Sequence, residues 1–293
     1  MLQHSSVGDN FSHAMTQRPL LVSRLFSSFA LLGVCLLLAA SLSAWLATNP
    51  FLAQSGSPRF NRFDTLRSVS EGIITRTNQE RRQRGLTALI PEERLRRIAC
   101  AHSRDMLRRD FMRHENPDGE LPGDRVAKHH RRLIGGAGEN LWSRTGRMAI
   151  HPEALADTII TQWMESPPHR KNILRRSFSH LGVCTMRKGD RILGTQVFAQ
   201  IRAYLETSLP RTAPAGGNLV APIGQTFPPN ATIAKYNFWD PRHEVSVTPP
   251  RLFADTLQLP DTTGAVRLQF YVPETNRYRI YRGPEIRLTS PNR

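Results

Sequence analysis

The stretch Trp163-Met-Glu-Ser-Pro-Pro-His-Arg-Lys-Asn-Ile-Leu174 is the most informative part of this chain, because two prolines interrupt it and a histidine follows them directly. Two other polar stretches precede it, Phe111-Met-Arg-His-Glu-Asn-Pro-Asp-Gly119 and Gly138-Glu-Asn-Leu-Trp142. Each stretch supplies, in what we interpret as a polar turn, one group that can bind a metal or move a proton: His114, Glu139 and His169. These three lie too far apart in sequence to share a helix face, so only a tertiary fold can bring them together.

Helical periodicity surrounds these stretches. Apolar residues at helical spacing predict one helix over residues 66–84 and a second over 92–113. The apolar stripe of the second helix includes His102, which we therefore expect to be a structural histidine that faces the core. A further helix opens at Pro152 and ends at Ser166-Pro-Pro168.

Strand patterns follow the last helix. Two strands are predicted over 181–186 and 192–198, joined by a hairpin turn at 187–190. Residues 114–133 are predicted to be a long polar connection, and a loop of this length is more often functional than idle. Helices before and between short strands predict an α+β fold, in the form of a three-layer α-β-α domain.

Residues 66–204 resemble a bacterial member of the CAP superfamily, which comprises cysteine-rich secretory proteins, antigen 5 and pathogenesis-related proteins. The matching residues occur in order and without large gaps: Asn78-Gln-Glu-Arg81, Gly85-Leu86, Leu89, Ala99, His102-Ser103, Asp105-Met106, His114, Pro117-Asp-Gly119, Arg125, Gly138-Glu-Asn140, Trp163, Ser166-Pro, His169-Arg, Asn172-Ile-Leu, Gly182 and Gln196-Val-Phe198. The resemblance implies the three-layer sandwich of that family. It leaves the activity open, because members of this family have very different functions.

The resemblance also implies a site. In the family, two histidines and two acids line a central cleft, and His114, Glu139 and His169 match three of these four positions. The fourth position, an acid three residues after the tryptophan, is Ser166 in this chain. Glu165 lies one residue earlier and is rotated by about 100° on a helix, so we expect it to point elsewhere. One carboxylate fewer predicts a weaker cation site.

Two imidazoles and one carboxylate with an open fourth position are the usual ligands of a catalytic zinc ion. His114, Glu139 and His169 match that set in type, which makes a divalent metal, zinc, the candidate cofactor. They lack the local His-Glu-x-x-His spacing that would make the assignment specific.

Three further residues are supporting candidates: Asn140, Ser166 and Asn172. The two asparagines either orient the site or serve as turn and cap residues, and the sequence leaves both interpretations open. Ser166 is a hydroxyl three residues before His169, but the intervening Pro-Pro leaves the geometry of a Ser–His pair undetermined.

The N-terminal region predicts export. Arg18 and Arg24 precede a long apolar run without charge, and about 20 such residues cross a bilayer. A cleavable signal peptide is the alternative to an anchor. The predicted segments are a cytoplasmic segment at 1–24, a transmembrane signal-anchor at 25–48 and a linker at 49–65. We therefore expect a protein of the cell envelope, held by a single membrane span or secreted.

Export would place Cys100 and Cys184 in an oxidising compartment, whereas Cys35 lies in the predicted membrane segment. A bridge across their separation of 84 positions would stabilise the fold by up to about 4–5 kcal/mol. We favour the interpretation that both are small buried hydrophobic residues, because nothing in the sequence brings them together.

The net charge is +16, and arginines are concentrated in the first two predicted helices. Such a field favours anionic membrane surfaces, cell-wall polyanions or nucleic acid. No nucleic-acid motif accompanies it and an exported protein rarely meets nucleic acid, so we expect no nucleic-acid partner. We interpret the arginines as a solvated basic face, and the run Lys128-His-His-Arg-Arg132 as an exposed basic patch rather than a set of ligands.

The composition changes after the first domain, which is predicted over 66–207. Residues 208–217 are rich in Pro, Ala and Gly and are predicted to be a linker. Short alternating runs over 218–293 predict a small all-β C-terminal domain, and strand-forming arms packed on the first domain are the alternative.

Three functional hypotheses follow from the sequence. The first is an exported, membrane-anchored envelope protein whose CAP-like domain binds a lipid, a cell-wall component or another polyanion in a cleft lined by His and Glu. The second is a metal-assisted hydrolase that uses His114, Glu139 and His169. The third is a structural or scaffolding protein in which the polar cluster only rigidifies the cleft.

Overall fold

A six-stranded sheet forms the middle layer of the first domain in the computed structural model, which describes residues 62–291. The predicted cytoplasmic segment at 1–24 and the predicted signal-anchor at 25–48 lie outside the described residues. Within residues 62–291, no helix is both long and apolar enough to cross a membrane.

The described helices all lie in the first domain. They are α1 (Arg67–Arg82), α2 (Glu93–Arg109), α3 (Pro122–His129), α4 (Pro152–Glu165) and α5 (Pro167–Ile173). The strands of the first sheet are β1 (Phe63–Thr65), β2 (Ile90–Pro91), β3 (Leu133–Thr145), β4 (His180–Lys188), β5 (Arg191–Leu205) and β8 (Ile223–Thr226). Their order is β1-β4-β5-β3, with β2 paired to β4 and β8 paired to β5. The predicted β4–β5 hairpin is confirmed, and Gly189 adopts the positive φ of 62° that its turn requires.

Helices cover both faces of this sheet because its strands are apolar on both sides. Leu181 and Val183 of β4 pack with α1, α4 and α5. Cys184 and Met186 of the same strand pack with α2 and α3 on the opposite face. Side chains with period two therefore supply two cores from one strand, and the predicted three-layer α-β-α domain is confirmed.

Helix α2 lies unusually close to the sheet at Gly182. A Cβ atom at this position would lie 2.1 Å from the backbone nitrogen of Arg96. The N-cap residue Glu92 fixes the start of α2 by accepting a hydrogen bond from the backbone N–H of Leu95 at 2.7 Å. The helix ends at Asp110, which has a left-handed φ of 55°. Glycine is required at position 182 because any side chain would displace the helix.

A disulfide joins α2 to β4, and our interpretation of its cysteines as free buried residues is wrong. Cys100 and Cys184 are bonded across the helix–sheet interface, with their Cα atoms 4.9 Å apart. No local pattern predicts this bond, because it depends on how closely α2 packs on the sheet.

Two of the polar stretches have more regular structure than their composition indicates. Residues 114–133, predicted as an irregular connection, contain α3, which Pro122 opens and the Asp124 side chain caps by accepting from the backbone of Leu121. The stretch 138–142, predicted as a turn, lies within β3, which pairs with β5 along its whole length. Pairing with β5 supplies the backbone hydrogen bonds of this strand, and its glycine-rich sequence does not predict that pairing.

The basic clusters are only partly solvated, which corrects the two sequence interpretations. Arg81 is 1% exposed, and its guanidinium donates to the carbonyls of Thr87, Ile173 and Arg175. Within the run 128–132, His130 and Arg131 are buried. Long charged side chains can satisfy buried carbonyls, so a charge run need not be a solvated face.

The region after residue 205 is all-β, as predicted. Its strands are β6 (Thr212–Pro214), β7 (Asn218–Val220), β9 (Lys235–Asp240), β10 (Val245–Ser246), β11 (Arg251–Leu252), β12 (Thr256–Gln258), β13 (Gly264–Glu274) and β14 (Arg277–Thr289). The main sheet has the order β10-β9-β13-β14-β6, with β11 on β9, and β7 pairs with β12.

The C-terminal sheet packs on the first domain and shares a core with it. Ile134 of β3 and Leu205 of β5 lie in the same hydrophobic cluster as Phe238 and Phe270 of the C-terminal sheet. Strand β6, within the segment predicted as a linker, pairs in parallel with β14. Strand β8, within the segment predicted as the C-terminal domain, extends the first sheet. The chain therefore crosses between the two sheets more than once.

Candidate functional site

The candidate site is built around β3, the edge strand of the first sheet. Successive residues of a strand point to opposite faces. Glu139 points toward α2 and α3, whereas Asn140 points toward α1 and α5. Groups from both helical layers can therefore meet around this edge, which is how residues distant in sequence come together.

The Glu139 carboxylate is buried and fully paired. Its side chain is 1% exposed, and Oε2 accepts a hydrogen bond from Nη2 of Arg125 at 2.8 Å. Its other oxygen, Oε1, lies 2.9 Å from Nδ1 of His114. A buried carboxylate is tolerated only with such partners. The guanidinium of Arg125 therefore neutralises the charge of Glu139.

Arg125 also fixes the segment that carries His114. Its Nη1 donates to the carbonyl of His114 at 2.8 Å and to that of Glu120 at 2.6 Å. Because Arg125 lies on α3, one guanidinium ties this helix, the preceding loop and the carboxylate of Glu139 together. Arg125 is thus a positioning residue for both predicted site residues.

His114 presents its free ring edge to solvent. With Nδ1 held by Glu139, its side chain remains 50% exposed. A carboxylate at one ring nitrogen sets which tautomer is present and leaves the other nitrogen for a ligand. Here Nδ1 carries the proton toward Glu139, and Nε2 is the nitrogen that can bind.

His102 comes closer to the site than its helical stripe predicts. Its Nε2 lies 3.7 Å from Oε1 of Glu139 and 3.2 Å from the carbonyl of Arg113. Burial lowers the pKa of His102, and the nearby Glu139 carboxylate opposes that effect. His102 is a core residue, as predicted, and it also forms one wall around the Glu139 carboxylate.

His169 approaches from the opposite layer, on α5. An amide chain holds this helix to β3: Asn140 Nδ2 donates to the carbonyl of His169 at 3.2 Å, and Asn172 Nδ2 donates to the carbonyl of Glu139 at 3.1 Å. Asn172 also donates to Oδ1 of Asn140 at 3.0 Å. The ring of His169 lies 6.4 Å from that of Trp163, centroid to centroid. Asn140 and Asn172 therefore orient α5.

His114 and His169 influence each other electrostatically. Burial lowers the pKa of His169, and the charge of His114 lowers it further. No ion pair or hydrogen bond joins the His169 ring to Glu139 within residues 62–291. In the same part of the chain, no three His, Cys, Asp or Glu residues are grouped so that they could hold a metal ion.

Ser166 lies at the junction of α4 and α5, where it is half-buried. Its side chain forms no capping hydrogen bond to α5, although its carbonyl accepts from the backbone N–H of Arg170 at 2.9 Å. Glu165 is exposed at the end of α4.

Sequence reasoning missed the roles of Arg125 and Arg81 at this site. Arg125 matched a family position but gave no chemical signal of its own. Arg81 holds the end of α5 through the carbonyls of Ile173 and Arg175, at 2.7 and 3.0 Å. Arginines at these positions look like surface charge in sequence, and only burial distinguishes them.

The chain matches the family model of the cysteine-rich secretory protein (CAP) family over residues 74–199. It is similar to YkwD of Bacillus subtilis, described as uncharacterized, with 28% identity over 149 residues. That alignment covers 51% of this chain and 54% of YkwD, so the chain spans about half the length of this relative.

Solved structures with similarity include an extracellular protein with an SCP domain from Bacillus anthracis, at 28% identity and a TM-score of 0.38, covering 46% of this chain and 41% of that one. An outer surface protein of Borrelia burgdorferi matches at 12% identity and a TM-score of 0.41, covering 48% of this chain and 99% of that one. The family model and the motifs quoted above coincide on the α-β-α domain, so residues 74–199 of this chain form a CAP domain of the bacterial type.

Proposed function

We propose that this chain is an exported, membrane-anchored envelope protein whose CAP domain binds a ligand at the face formed by His114, Glu139 and His169. The observation that carries the proposal is the pairing of Glu139 with Arg125, which leaves the ring of His114 as the group presented to solvent. The apolar N-terminal run and the Cys100–Cys184 disulfide support export, since disulfides persist in oxidising compartments.

The chemistry of this face favours a polar cell-wall component over a lipid acyl chain. The hydrogen-bonding groups that this face offers to a ligand are the imidazoles of His114 and His169, because Asn140 and Arg125 are buried and already bonded within the protein. An acyl chain would leave such groups without partners, which is costly when they are covered. A lipid ligand is therefore the less favoured member of the proposed class.

A divalent metal fits this site through imidazole rather than carboxylate. Both oxygens of Glu139 have partners, and a cation bound to Oε2 would face the guanidinium of Arg125. We assign the metal-holding role to the free ring nitrogens of His114 and His169, with Glu139 as the outer partner that orients His114. Zinc held there would supply Lewis acidity.

Calorimetric titration of zinc into the full chain in detergent tests this assignment. Saturable one-to-one binding is expected, with loss of the heat in the His114→Ala, His169→Ala double variant. His151→Ala is the matched control, because His151 is exposed and its side chain forms no capping hydrogen bond. Equal heats in the double variant and the control would refute a metal site at this face.

Sedimentation of the chain with purified cell-wall sacculi, and separately with liposomes, tests the ligand class. We expect retention by sacculi that the same double variant reduces and that His151→Ala leaves unchanged. Retention by neither material, or equal retention of the double variant, would contradict ligand binding at this face. A steep loss of binding with salt would indicate that the net charge of +16, rather than the site, drives retention.

The metal-assisted hydrolase is the second candidate, and the geometry favours it less. A general base must reach the proton that it abstracts, and the Glu139 carboxylate is 1% exposed with both oxygens bonded to protein groups. The scaffolding alternative predicts that Glu139→Ala destabilises the fold and changes no binding. Binding and stability measurements on that single variant separate the two outcomes.

A further inference from the structure

The outer face of the C-terminal sheet carries a groove of about 640 Å³, within the 300–1,000 Å³ typical of ligand sites. Residues of β13 alternate between the two faces of the sheet, and Val266, Leu268 and Phe270 face the core. The intervening positions face outward. The groove is lined by these outward residues together with side chains of β9 and β14: Asn237, Trp239, Gln269, Tyr271, Ile280 and Arg282.

Apolar and aromatic side chains occupy both ends of the groove. Trp239 lies in register with Arg267 at one end, and Tyr271 lies in register with Ile280 at the other. Four residues of β13 separate these rows, or about 13 Å at 3.3 Å per residue. Ile280 is 49% exposed, and the neighbouring Tyr278 is 46% exposed. Ile280 shares the groove with the half-buried Trp239 and Tyr271, and partly exposed apolar side chains gathered in one groove indicate a binding surface.

Amide groups occupy the middle of the groove, between the aromatic ends. Gln269 lies in register with Asn237 on one side and with Arg282 on the other. Asn237 is buried and its Nδ2 donates to Oγ of Ser246 at 2.6 Å, whereas the half-buried Gln269 offers its amide to the groove. A ligand for this groove must therefore combine apolar faces with hydrogen-bonding groups along its length.

The charges of the groove are largely compensated. Arg267 pairs with Asp124 at 2.8 Å, and Arg282 lies 3.8 Å from the same carboxylate. Glu244 adds a negative charge at the rim. An anion would gain little here, so charge complementarity points to an uncharged ligand.

We propose that this groove binds the uncharged sugar chain of an envelope polysaccharide. Sugar rings offer C–H faces, which stack on the negative π faces of aromatic rings, and hydroxyl groups, which bond amides. The two aromatic rows lie about 13 Å apart, at about 3.3 Å per residue. This distance suits a chain of several sugar rings rather than a single sugar ring.

Two other occupants fit less well. A peptide strand cannot extend the sheet at β9, because β10 and β11 already pair with the ends of that strand and Thr248 bonds its centre. A second copy would present the same concave face, which is not self-complementary.

This inference deepens the proposed function, on which it rests only for export to the envelope. The groove is lined by none of His114, Glu139 and His169, so separate variants test the two proposals. Loss of cell-wall binding only in the His114→Ala, His169→Ala variant would locate that binding at the face formed by His114, Glu139 and His169. Loss of sugar binding only in a groove variant would locate the sugar site on the C-terminal sheet.

The test is calorimetry of the full chain in detergent with three six-unit β-1,4-linked oligosaccharides, made of N-acetylglucosamine, glucose or mannose. We expect saturable binding of at least one, weakened about tenfold by Trp239→Ala, which removes one stacking surface. Tyr271→Ala is a second variant, at the other end of the groove, included in case Trp239→Ala fails to fold. Leu252→Ala is the control, because Leu252 is exposed but lies outside the groove.

Absence of saturable binding to all three sugars would overturn the proposal. So would sugar affinity in Trp239→Ala and Tyr271→Ala equal to that of Leu252→Ala. If sedimentation showed a dimer that only the groove variants dissociate, the groove would be a self-association surface instead. Binding unchanged by His114→Ala is expected and would confirm that the site is separate from the CAP face.

Discussion

The buried ion pair between Arg125 and Glu139 makes the sharpest prediction about this protein. Arg125→Met keeps most of the side-chain length and removes the guanidinium. The variant leaves a carboxylate that is 1% exposed, with His114 as its remaining hydrogen-bonding partner and His102 Nε2 3.7 Å from Oε1. It also removes the donor that holds the carbonyls of His114 and Glu120.

The expected loss in the free energy of unfolding is about 3–5 kcal/mol, the range measured when one partner of a buried pair is removed. The freed carbonyls add little to this figure, because the His114 segment is exposed enough for water to replace the lost bonds. Glu139→Gln removes the charge and should recover part of the loss in the Arg125→Met background. We therefore expect a coupling energy of about 2–3 kcal/mol in the double-mutant cycle.

Urea unfolding followed by circular dichroism measures all four members of the cycle. Arg67→Met is the control, because Arg67 and Glu71 form an exposed pair on α1 whose loss should fall within the error of the assay. The reasoning is refuted if Arg125→Met loses no more stability than the control. Additive effects of the two site substitutions would refute it equally.

Three further predictions concern the framework of the first domain. Replacing Cys100 and Cys184 by serine should lower the free energy of unfolding by about 4.5 kcal/mol, because the disulfide closes a loop of 84 residues in the unfolded chain. Urea unfolding midpoints with and without reductant measure this loss. Gly182→Ala should lower the free energy of unfolding by about 3 kcal/mol or more, because the added methyl group overpacks against α2; thermal unfolding measures the loss. Gly194→Ala is the control and should leave stability unchanged, because its Cβ would have no neighbour closer than 3.8 Å. Burial lowers the pKa of His180, so the unfolded chain binds the proton more readily than the folded chain. The free energy of unfolding should therefore fall as the pH falls below about 6.5. His180→Gln should make the free energy of unfolding less dependent on pH between pH 7.5 and 5.

Local patterns in the sequence were sufficient for α1, α2 and α4, the β4–β5 hairpin and the layer architecture, but not for α3. Periodicity reports which side of an element is apolar, and two apolar sides on short strands require cover on both faces. The three groups His114, Glu139 and His169 were also recognisable, because each follows or lies within a polar stretch that matches a family motif.

The sequence by itself therefore determined the class of fold, the resemblance of residues 66–204 to the CAP superfamily and the candidate groups, since these can be recognised from residue types and their order along the chain. Only the tertiary structure decided that Cys100 bonds Cys184 and that Arg125 neutralises Glu139. It alone also decided that the C-terminal sheet shares a core with the first domain. Each of these depends on which distant surfaces come within a few ångströms of one another, and burial then changes what a charged or thiol side chain can do. No local pattern encodes that distance.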